Sequence, residues 1–204
     1  MRHTLPDLAA PAAPARLACP AAEFSLGSLE ERTETPLTKD EYYIGIAIAV
    51  RKKANCLGRK VGAIIVREDR IISTGYNGTP EGMRNCLDGG CVRCRERETY
   101  RASVGYDVCI CVHAEQNALI TAARFGNAVE SATVYSTLRP CFDCTKASLQ
   151  AKIRAVHYLH NWEHPITELH EQYEMLQKEF LDGVHQVSVD DPDVDWANAA
   201  SKTS

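Results

Sequence analysis

Apolar and polar positions in the first half of the chain predict a helix followed by a β-hairpin. Thr38 and Glu41 form a capping-box pattern, which marks the start of a helix. The apolar face expected on that helix consists of Tyr42, Ile46, Val50 and Ala54. Residues 61–66 are apolar and β-branched, and a charged turn at residues 67–70 leads to a second apolar run near 71–76. The two runs therefore predict antiparallel strands joined by a tight turn.

The second half of the chain alternates between helical and extended patterns. Helices are predicted at residues 113–125, 141–152 and 166–181, and strands at 132–137, 153–159 and 184–189. The last helix carries apolar residues at helical spacing: Leu169, Tyr173, Leu176 and Phe180. The element order α-β-β-α-β-α-β-α-β predicts the α/β class, with a three-layer α-β-α sandwich around a mixed five-stranded sheet.

The two ends of the chain lack these patterns and bound the predicted domain. Residues 1–36 are rich in Ala and Pro, with too few large apolar side chains to fold alone, so we expect a disordered tail there. Residues 190–204 contain four aspartates and are expected to form a flexible acidic tail. One domain is therefore predicted at residues 37–189, and no apolar run is long enough to predict a membrane-spanning helix.

Residues 77–111 form an insert that is rich in Gly, Cys and charge, which predicts a long loop with one short helix. A loop this long inside a compact domain is usually functional or tied by a metal. The chain has nine cysteines, and its start lacks the pattern of a signal peptide. In a reducing compartment, clustered cysteines usually bind metal or pack as small core residues. We therefore expect a cytoplasmic protein in which some cysteines bind metal.

Two motifs carry the candidate chemistry, and each opens a predicted helix: His113-Ala114-Glu115 and Pro140-Cys141-x-x-Cys144. A Cys-x-x-Cys pair in the first turn of a helix places both sulfurs on one side, where the helix N-terminus favours the thiolate form. With His113 as a third ligand, Cys141 and Cys144 leave the fourth position of a tetrahedral zinc open for water. His-x-Glu followed by Pro-Cys-x-x-Cys is the signature of zinc-dependent deaminases.

Glu115 is the candidate catalytic residue that moves protons. It cannot share a helical direction with His113, but at a helix start it can point into the pocket beside the water. A carboxylate there would take a proton from water and return it to a ring nitrogen and then to the leaving amine. Taken alone, the Cys-x-x-Cys pair is also typical of a structural zinc half-site or a redox pair. The order of the two motifs favours the catalytic interpretation.

These motifs resemble those of the cytidine and deoxycytidylate deaminase superfamily, and the resemblance covers about residues 40–160. It also rests on residues 61–66 and on the run Gly75-Tyr76-Asn77-Gly78-Thr79-Pro80. Within the superfamily, the chain most resembles the deoxycytidylate (dCMP) deaminases. The resemblance implies a cytidine deaminase-like fold and the zinc-dependent hydrolytic deamination of dCMP to dUMP with release of ammonia.

The resemblance also implies four substrate-binding residues: Asn77, Thr79, Ala114 and Tyr158. Asn77 would hydrogen-bond the sugar hydroxyl, and Thr79 would lie near the phosphate. Ala114 would pack against the base, and Tyr158 matches an aromatic position near the substrate. The alternative for Asn77 is a hairpin-type Asn-Gly turn, and Tyr158 could equally be a core residue.

Other members of the superfamily fit the sequence less well. Free nucleoside cytidine deaminases usually have Cys at the position of His113. Transfer-RNA adenosine deaminases share His-Ala-Glu but usually lack the Asn77 run and a long cysteine-bearing insert. A deaminase of another base, nucleoside or nucleic acid is one alternative. An inactive zinc-binding module is another, but the presence of the proton carrier Glu115 argues against it. A net charge of −4 and the absence of a basic stripe speak against nucleic acid as a partner.

The insert contains a second chelating pair, Cys91 and Cys94. Some dCMP deaminases carry an additional structural zinc in this region, so the resemblance implies a second zinc bound by this pair and two further cysteines. The candidates for those two positions are Cys86, Cys109, Cys111 and Cys56. The alternative is a loop with buried, inert thiols. Nearby arginines are candidates for a phosphate contact or for a solvated helical face: Arg93, Arg95, Arg97 and Arg101.

The resemblance further implies partners beyond the nucleotide substrate. Members of the superfamily are often oligomers that nucleoside triphosphates regulate. They are commonly hexamers that dCTP activates and dTTP inhibits. A homo-oligomer with this regulation is therefore an expectation for this chain, and association with a membrane is not expected.

Overall fold

The computed structural model describes residues 35–96, 99–100, 108–164 and 166–197. The helices are α1 (Lys39–Arg51), α2 (Val92–Arg95), α3 (Ala114–Arg124), α4 (Phe142–Gln150) and α5 (His170–Gln177). The strands are β1 (Gly62–Arg67), β2 (Arg70–Tyr76), β3 (Thr133–Leu138), β4 (Ala155–His160) and β5 (Val184–Gln186). The predicted tail at residues 1–36 lies outside the described residues except for its last two positions. In the described part of the chain, no helix combines the length and the apolar character needed to cross a membrane.

The strands form one mixed sheet in the order β2-β1-β3-β4-β5. β1 is antiparallel to β2 and β3, whereas β3, β4 and β5 run parallel to one another. The predicted mixed five-stranded sheet is therefore confirmed. Because parallel strands need a crossover connection, α4 returns the chain from the carboxyl end of β3 to the start of β4.

Two local signals read from the sequence are confirmed. The N–H of Glu41 donates to Thr38 Oγ1 at 3.3 Å, and the N–H of Thr38 donates to the Glu41 carboxylate at 2.7 Å, which completes the capping box. The hairpin turns through Glu68 and Asp69, whose φ angles are 52° and 57°. Positive φ at both central residues is the geometry that matches the twist of the two flanking strands.

The sheet has an apolar core on each face. One core lies between α1 and the sheet and includes Ile44, Ile48, Ile64 and Tyr135. The other lies beneath α3 and includes Ala118, Ile65, Val134 and Val156. Ile64 and Ile65 are neighbours in β1 and both are fully buried, because successive side chains of a strand point to opposite faces. This arrangement is the predicted three-layer sandwich.

α1 buries a different face from the predicted one. The buried residues are Tyr43, Ile44, Ala47, Ile48 and Arg51. Tyr42 is 53% exposed, and Ile46 and Val50 are only partly buried. The cause is close packing on β1, where a Cβ added to Gly62 would lie 2.3 Å from the Ala47 carbonyl oxygen. The face of α1 that contains Ala47 therefore packs on the sheet, and Tyr42 points outward.

Residues 190–197 differ from the flexible acidic tail expected there. Asp191 accepts hydrogen bonds from both terminal nitrogens of Arg51 at 2.8 and 2.5 Å, and the two side chains are 3% and 0% exposed. Trp196 lies 4.2 Å from Lys60 Nζ, measured to the ring centroid. A buried guanidinium needs an anionic partner to offset its lost hydration, so Arg51 holds this segment on the domain.

The last helix and strand are shorter than predicted. A 3-10 turn at Thr167–Leu169 precedes α5, and the helix ends at Gln177. Gly183, six positions after the end of α5, takes a φ of 79°, a left-handed conformation that glycine adopts without strain. The insert contains a 3-10 turn at Cys86–Asp88 and the single helical turn of α2.

Candidate metal centre and active site

Two helix starts meet to form the centre. His113 is the N-cap residue of α3, Cys141 is the N-cap residue of α4, and Cys144 lies in the first turn of α4. His113 Nδ1 lies 3.3 Å from Cys141 Sγ and 3.4 Å from Cys144 Sγ. A tetrahedral zinc separates a nitrogen ligand from a sulfur ligand by roughly 3.6 Å. The three side chains thus fit one ion and leave a fourth position open.

The pKa shifts of these three groups favour a negatively charged ligand at Cys141, which suits the binding of a cation. A hydrogen bond with Cys144 lowers the pKa of Cys141 to about 4, and the same contact raises the pKa of Cys144 well above 9.0. Burial by itself would lower the pKa of His113, but the hydrogen bond and charge of Cys141 outweigh it and raise that pKa to about 9. The lowered pKa favours the thiolate form of Cys141, and a metal ion bound here would displace the remaining protons because ligands coordinate in their deprotonated forms.

Glu115 lies beside the three metal-ligating groups and is only 4% exposed. Its Oε1 accepts a hydrogen bond from Ser136 Oγ at 3.0 Å, and its Oε2 lies 3.4 Å from Cys144 Sγ. Burial raises the pKa of Glu115, and the charge of Cys141 adds to that rise. The structure thus brings Glu115 together with the predicted metal ligands. A carboxyl group with a raised pKa beside a metal centre is suited to proton exchange.

Three buried side chains that the sequence motifs did not reveal hold this arrangement in place: Ser136, Tyr173 and Gln177. Tyr173 Oη donates to the Pro140 carbonyl oxygen at 2.7 Å, and Gln177 Nε2 donates to Thr145 Oγ1 at 2.6 Å. α5 therefore anchors the start of α4. The available signal for Ser136 was a small polar residue in the strand that leads to the second motif, four positions before Pro140.

The loop that follows β2 lies against the start of α3. Gly78 and Val112 form an isolated β-bridge with N–H···O distances of 3.2 and 2.9 Å. Val112 immediately precedes His113, so the bridge holds the backbone around Asn77 and Thr79 beside the segment that leads into α3. Asn77 and Gly78 are not among the described residues with positive φ, which argues against the hairpin-turn alternative.

Asn77 and Thr79 keep hydrogen-bonding capacity for a ligand. The buried Asn77 accepts from the Val61 N–H and donates to the Arg59 carbonyl oxygen, both at 2.8 Å. A side-chain amide has two donors and two acceptor positions, so one of each is left. Thr79 Oγ1 is buried and has no hydrogen-bond partner among the described residues.

The absence of a side chain at Gly75 allows β2 and α3 to pack closely together; it is not explained by a ligand that lies close to the backbone. A Cβ at this position would lie 2.2 Å from the Ala114 carbonyl oxygen and 2.4 Å from the Ala118 nitrogen. The missing side chain therefore lets β2 lie directly against the first turn of α3, where Ala114 is fully buried. At Gly78, an added Cβ would lie 2.4 Å from the side-chain oxygen of Asn55.

Tyr158 lies on the same face of the sheet as the residues of the centre. It is the register partner of Ser136 in the parallel pairing of β3 and β4, and partner residues point to the same face. Its half-buried ring lies 5.7 Å from the guanidinium carbon of Arg139. Arg139 also forms an ion pair with Glu174 at 2.9 Å. Tyr158 is thus neither fully exposed nor part of the two apolar cores.

Among the arginines of the insert, Arg95 forms an ion pair with Glu96 at 2.8 Å. Arg97 and Arg101 lie outside the described residues. The phosphate contact expected of these arginines stays a prediction.

A second group of ligands lies in the insert and at the end of α1. The cysteine cluster consists of Cys56, Cys86, Cys91, Cys94, Cys109 and Cys111. All six are reduced, five of them are buried, and Cys109 is partly exposed. A hydrogen bond with Cys111 lowers the pKa of Cys56 to about 3. Cysteine thiolates are typical ligands of structural zinc, so the cluster offers ligands for the predicted additional zinc.

Two overlapping sets of four sulfurs could each hold a metal ion. The sets are Cys56, Cys86, Cys94 and Cys111, and Cys91, Cys94, Cys109 and Cys111. Within each set, all sulfurs lie within 4.8 Å of one another. The predicted ligand set, which contained both Cys91 and Cys94, corresponds to the second set. The first set lacks Cys91.

Comparison with known families and proteins identifies relatives. The family model described as the cytidine and deoxycytidylate deaminase zinc-binding region matches residues 37–160. Deoxycytidylate deaminase from Saccharomyces cerevisiae is 39% identical over 132 residues, which cover 63% of this chain and 41% of the yeast protein. ComE operon protein 2 from Bacillus subtilis is 33% identical over 161 residues, which cover 78% of this chain and 76% of that protein.

A second yeast relative and a solved structure extend the comparison. Deoxycytidylate deaminase from Schizosaccharomyces pombe is 41% identical over 121 residues. The chain spans 41% and 36% of the lengths of the two yeast proteins. The crystal structure of dCMP deaminase from cyanophage S-TIM5 in complex with dCMP and dUMP is 29% identical, with a TM-score of 0.55 over 76% of this chain and 100% of that one.

Proposed function

The chain belongs to the cytidine and deoxycytidylate deaminase family, and from this premise we propose that it hydrolyses dCMP to dUMP and ammonia. The observation that carries the proposal is the buried Glu115 beside the zinc ligands His113, Cys141 and Cys144. Relatives named deoxycytidylate deaminase, including one from mycobacteriophage D29 that is 37% identical and matched over 92% of its length, support dCMP as the substrate.

His113 Nδ1 and the sulfurs of Cys141 and Cys144 would hold the catalytic zinc. When bound, zinc supplies a Lewis acid that lowers the pKa of a water molecule toward about 7. The two helix N-termini direct partial positive charge at the same point and favour thiolate ligands.

Glu115 moves the protons of the reaction. Its Oε1 is held by Ser136, whereas its Oε2 faces the Cys144 sulfur. Once Cys144 is a thiolate it can no longer donate, so Oε2 becomes available to water. Glu115 takes one proton from water while the water oxygen forms a bond to the amidine carbon of the base. It delivers that proton to the ring nitrogen. It then carries the second water proton from the new hydroxyl group to the amine, which leaves as ammonia when the carbon–nitrogen bond breaks and the carbonyl forms.

The substrate is positioned by the loop after β2 and by the start of α3. Asn77 offers one spare donor and one spare acceptor for the sugar hydroxyl, and the Thr79 hydroxyl is available near the phosphate. Ala114 packs against the base, and Tyr158 contributes an aromatic ring from the same face of the sheet. The β-bridge between Gly78 and Val112 supports this arrangement because it joins the loop to the metal centre.

Parallel measurement of ammonia release from dCMP, CMP, deoxycytidine, adenosine and guanine tests the substrate. We expect turnover of dCMP to exceed that of every other compound. Inert dCMP together with turnover of another compound would identify a different deaminase of the same superfamily. If none of the compounds reacts while zinc is bound, the inactive zinc-binding module is favoured instead.

We also propose that the protein is cytoplasmic and acts as a homo-oligomer, with a hexamer as the specific expectation. Reduced cysteines support a reducing compartment. Exposed apolar side chains on and after α3 support self-association: Ile120 is 51% and Phe125 is 72% exposed. Light scattering coupled to size exclusion tests the assembly.

Activation by dCTP and inhibition by dTTP at low dCMP concentration test the regulation, and identical rates with and without either nucleotide would contradict it.

A further inference from the structure

Six sulfurs from four separate parts of the chain converge in the cysteine cluster. Cys56 follows α1, Cys86 begins a 3-10 turn, the pair Cys91 and Cys94 flanks the start of α2, and Cys109 and Cys111 precede α3. The measured sulfur–sulfur distances are 3.7 Å for Cys56–Cys94, 3.8 Å for Cys91–Cys109 and 3.6 Å for Cys94–Cys109. A tetrahedral zinc with Zn–S bonds of about 2.3 Å separates its sulfurs by roughly 3.8 Å. The sulfur separations therefore match those that a tetrahedral zinc requires.

One zinc does not account for all six sulfurs. An ion in the first set leaves Cys91 and Cys109 unused, although these two sulfurs are in contact with each other. An ion in the second set leaves Cys56 and Cys86 unused, although both are buried. The two sets share Cys94 and Cys111, so each set is complete only when these two sulfurs serve both.

We propose that the cysteine cluster holds two zinc ions, with the sulfurs of Cys94 and Cys111 bridging them. Two four-coordinate ions need eight metal–sulfur bonds. Four terminal cysteines supply four of these bonds, and two bridging cysteines supply the other four. The terminal ligands are Cys56 and Cys86 on one ion and Cys91 and Cys109 on the other.

The charge of the cluster supports two ions over one. Six thiolates and two Zn²⁺ ions carry a net charge of −2, whereas six thiolates around a single Zn²⁺ would carry −4 in a mostly buried site. Leaving two sulfurs protonated would avoid that charge but would bury two thiols without a bond to the metal. The remaining negative charge is offset by backbone donors, because the N–H of Leu57 donates to Cys86 Sγ and the N–H of Gly58 donates to Cys56 Sγ, both at 3.3 Å.

An ordinary apolar core does not explain the arrangement. Among the described residues, Leu57 is the one partly buried apolar side chain other than cysteine that packs against the cluster. The measured sulfur separations of 3.6 to 3.8 Å also exceed a disulfide bond of about 2.05 Å. Burial of sulfurs that pack mainly against other sulfurs stabilises the fold only slightly, whereas binding of these sulfurs to a shared cation stabilises it strongly.

Residues next to the cluster hold the loop that carries Asn77 and Thr79. The N–H of Asn55 donates to the Asn77 carbonyl oxygen at 3.2 Å, and Asn55 Oδ1 accepts from the Thr79 N–H at 3.3 Å. Asn55 precedes Cys56, and Val112, which bridges to Gly78, follows Cys111. The two metal ions therefore fix both sides of this loop from outside the catalytic centre.

Metal analysis of the full-length wild-type protein, purified with zinc and dialysed free of loose metal, provides the first test. We expect three zinc ions per chain, and two in a Cys141→Ser variant that loses the catalytic ion. A wild-type value of one, or a wild-type value of two that falls to one in Cys141→Ser, would overturn the binuclear cluster.

Cadmium-113 NMR of the cadmium-substituted wild-type protein tests the bridges directly. We expect two signals from all-sulfur sites that are spin-coupled to each other through the shared sulfurs, and a third, uncoupled signal from the catalytic centre. One all-sulfur signal, or two without coupling, would refute the bridging. As a matched pair, Cys86→Ser and Cys109→Ser should perturb opposite members of the coupled pair most strongly. Equal effects on both would contradict the assigned terminal ligands.

Discussion

At the centre around His113 the ligands come from two helix starts, whereas in the cysteine cluster they come from loops and the single turn of α2. The first centre has three ligands and a buried carboxylate beside them. The second has six sulfurs, no carboxylate in either set of metal ligands, and no position left for water in the proposed arrangement. Catalytic zinc sites keep an open coordination position, and structural sites are closed by protein ligands. The centre around His113 is therefore suited to catalysis, whereas the cysteine cluster is suited to stabilising the fold.

Replacing the proton carrier should produce the largest effect on activity. In Glu115→Gln, we expect kcat to fall by on the order of 10²–10⁴-fold, because general acid–base catalysis by a positioned side chain contributes about that much. Zinc content should not change, since His113, Cys141 and Cys144 are intact. Steady-state kinetics with dCMP and metal analysis measure the two quantities.

Glu81 provides the matched control for that substitution. Its carboxylate is exposed and pairs with Arg124, so Glu81→Gln should retain wild-type kcat. If Glu115→Gln also retains activity, Glu115 is not the proton carrier. The buried carboxylate would then no longer distinguish a catalytic centre from the cysteine cluster.

A cluster variant should affect stability and substrate affinity more than chemistry. In Cys86→Ser, we expect the free energy of unfolding to fall by about 4 kcal/mol or more, because loss of a bound metal is among the most destabilising changes. KM for dCMP should rise more than kcat falls, since the cluster supports the loop of Asn77 and Thr79. Urea unfolding and steady-state kinetics measure both effects.

Leu87 lies beside Cys86 in the same 3-10 turn and is 50% exposed. Leu87→Ser should therefore change stability by less than about 0.5 kcal/mol. A Cys86→Ser protein as stable as this control would show that the cluster has no structural role.

Ser136 connects the sheet to the reactive centre, and its removal should have an intermediate effect. In Ser136→Ala, we expect kcat to fall roughly tenfold, since hydrogen bonds to charged groups contribute about 1.5–3 kcal/mol. The Ser136 hydroxyl favours the ionised form of Glu115 and so opposes the rise in its pKa that burial causes. Without the hydroxyl the pKa of Glu115 rises further, and the acid limb of the pH–kcat profile should move to higher pH.

Ser148→Ala is the control for this serine. The Ser148 hydroxyl is buried in α4 and has no hydrogen-bond partner among the described residues. Its removal should leave both kcat and the acid limb unchanged. An unshifted acid limb in Ser136→Ala would show that Ser136 does not act through Glu115.

The smallest effect is expected at the anchor of α4. Tyr173→Phe removes the 2.7 Å hydrogen bond to the Pro140 carbonyl oxygen and should lower the free energy of unfolding by about 1 kcal/mol. The exposed Tyr42 provides the comparison, and Tyr42→Phe should be neutral. Thermal and urea unfolding of both variants measure the difference, and equal stabilities would argue against α5 as an anchor of the metal centre.

The order of the elements could be predicted because each depends on local signals. The capping box at Thr38 and Glu41 forms within one turn, and the charged turn at Glu68 and Asp69 closes a two-strand hairpin. The buried face of α1 could not be predicted, because apolar residues surround that helix and the contact between Ala47 and Gly62 decides which of them face the sheet. The docking of Asp191 depends on the burial of Arg51, which is 140 residues away in the chain.

The metal ligands of the reactive centre were determined by the sequence alone. They could be predicted because each motif is contiguous and the pair matches a known signature, although the contact between His113 and Cys141, 28 residues apart, is itself made by tertiary packing. Only the tertiary structure decided how the six cysteines are grouped and that Ser136 contacts Glu115. These contacts join segments between 15 and 38 residues apart. The physical reason is that short-range backbone geometry places neighbouring ligands, whereas the sharing of sulfurs between two sets depends on how distant segments pack.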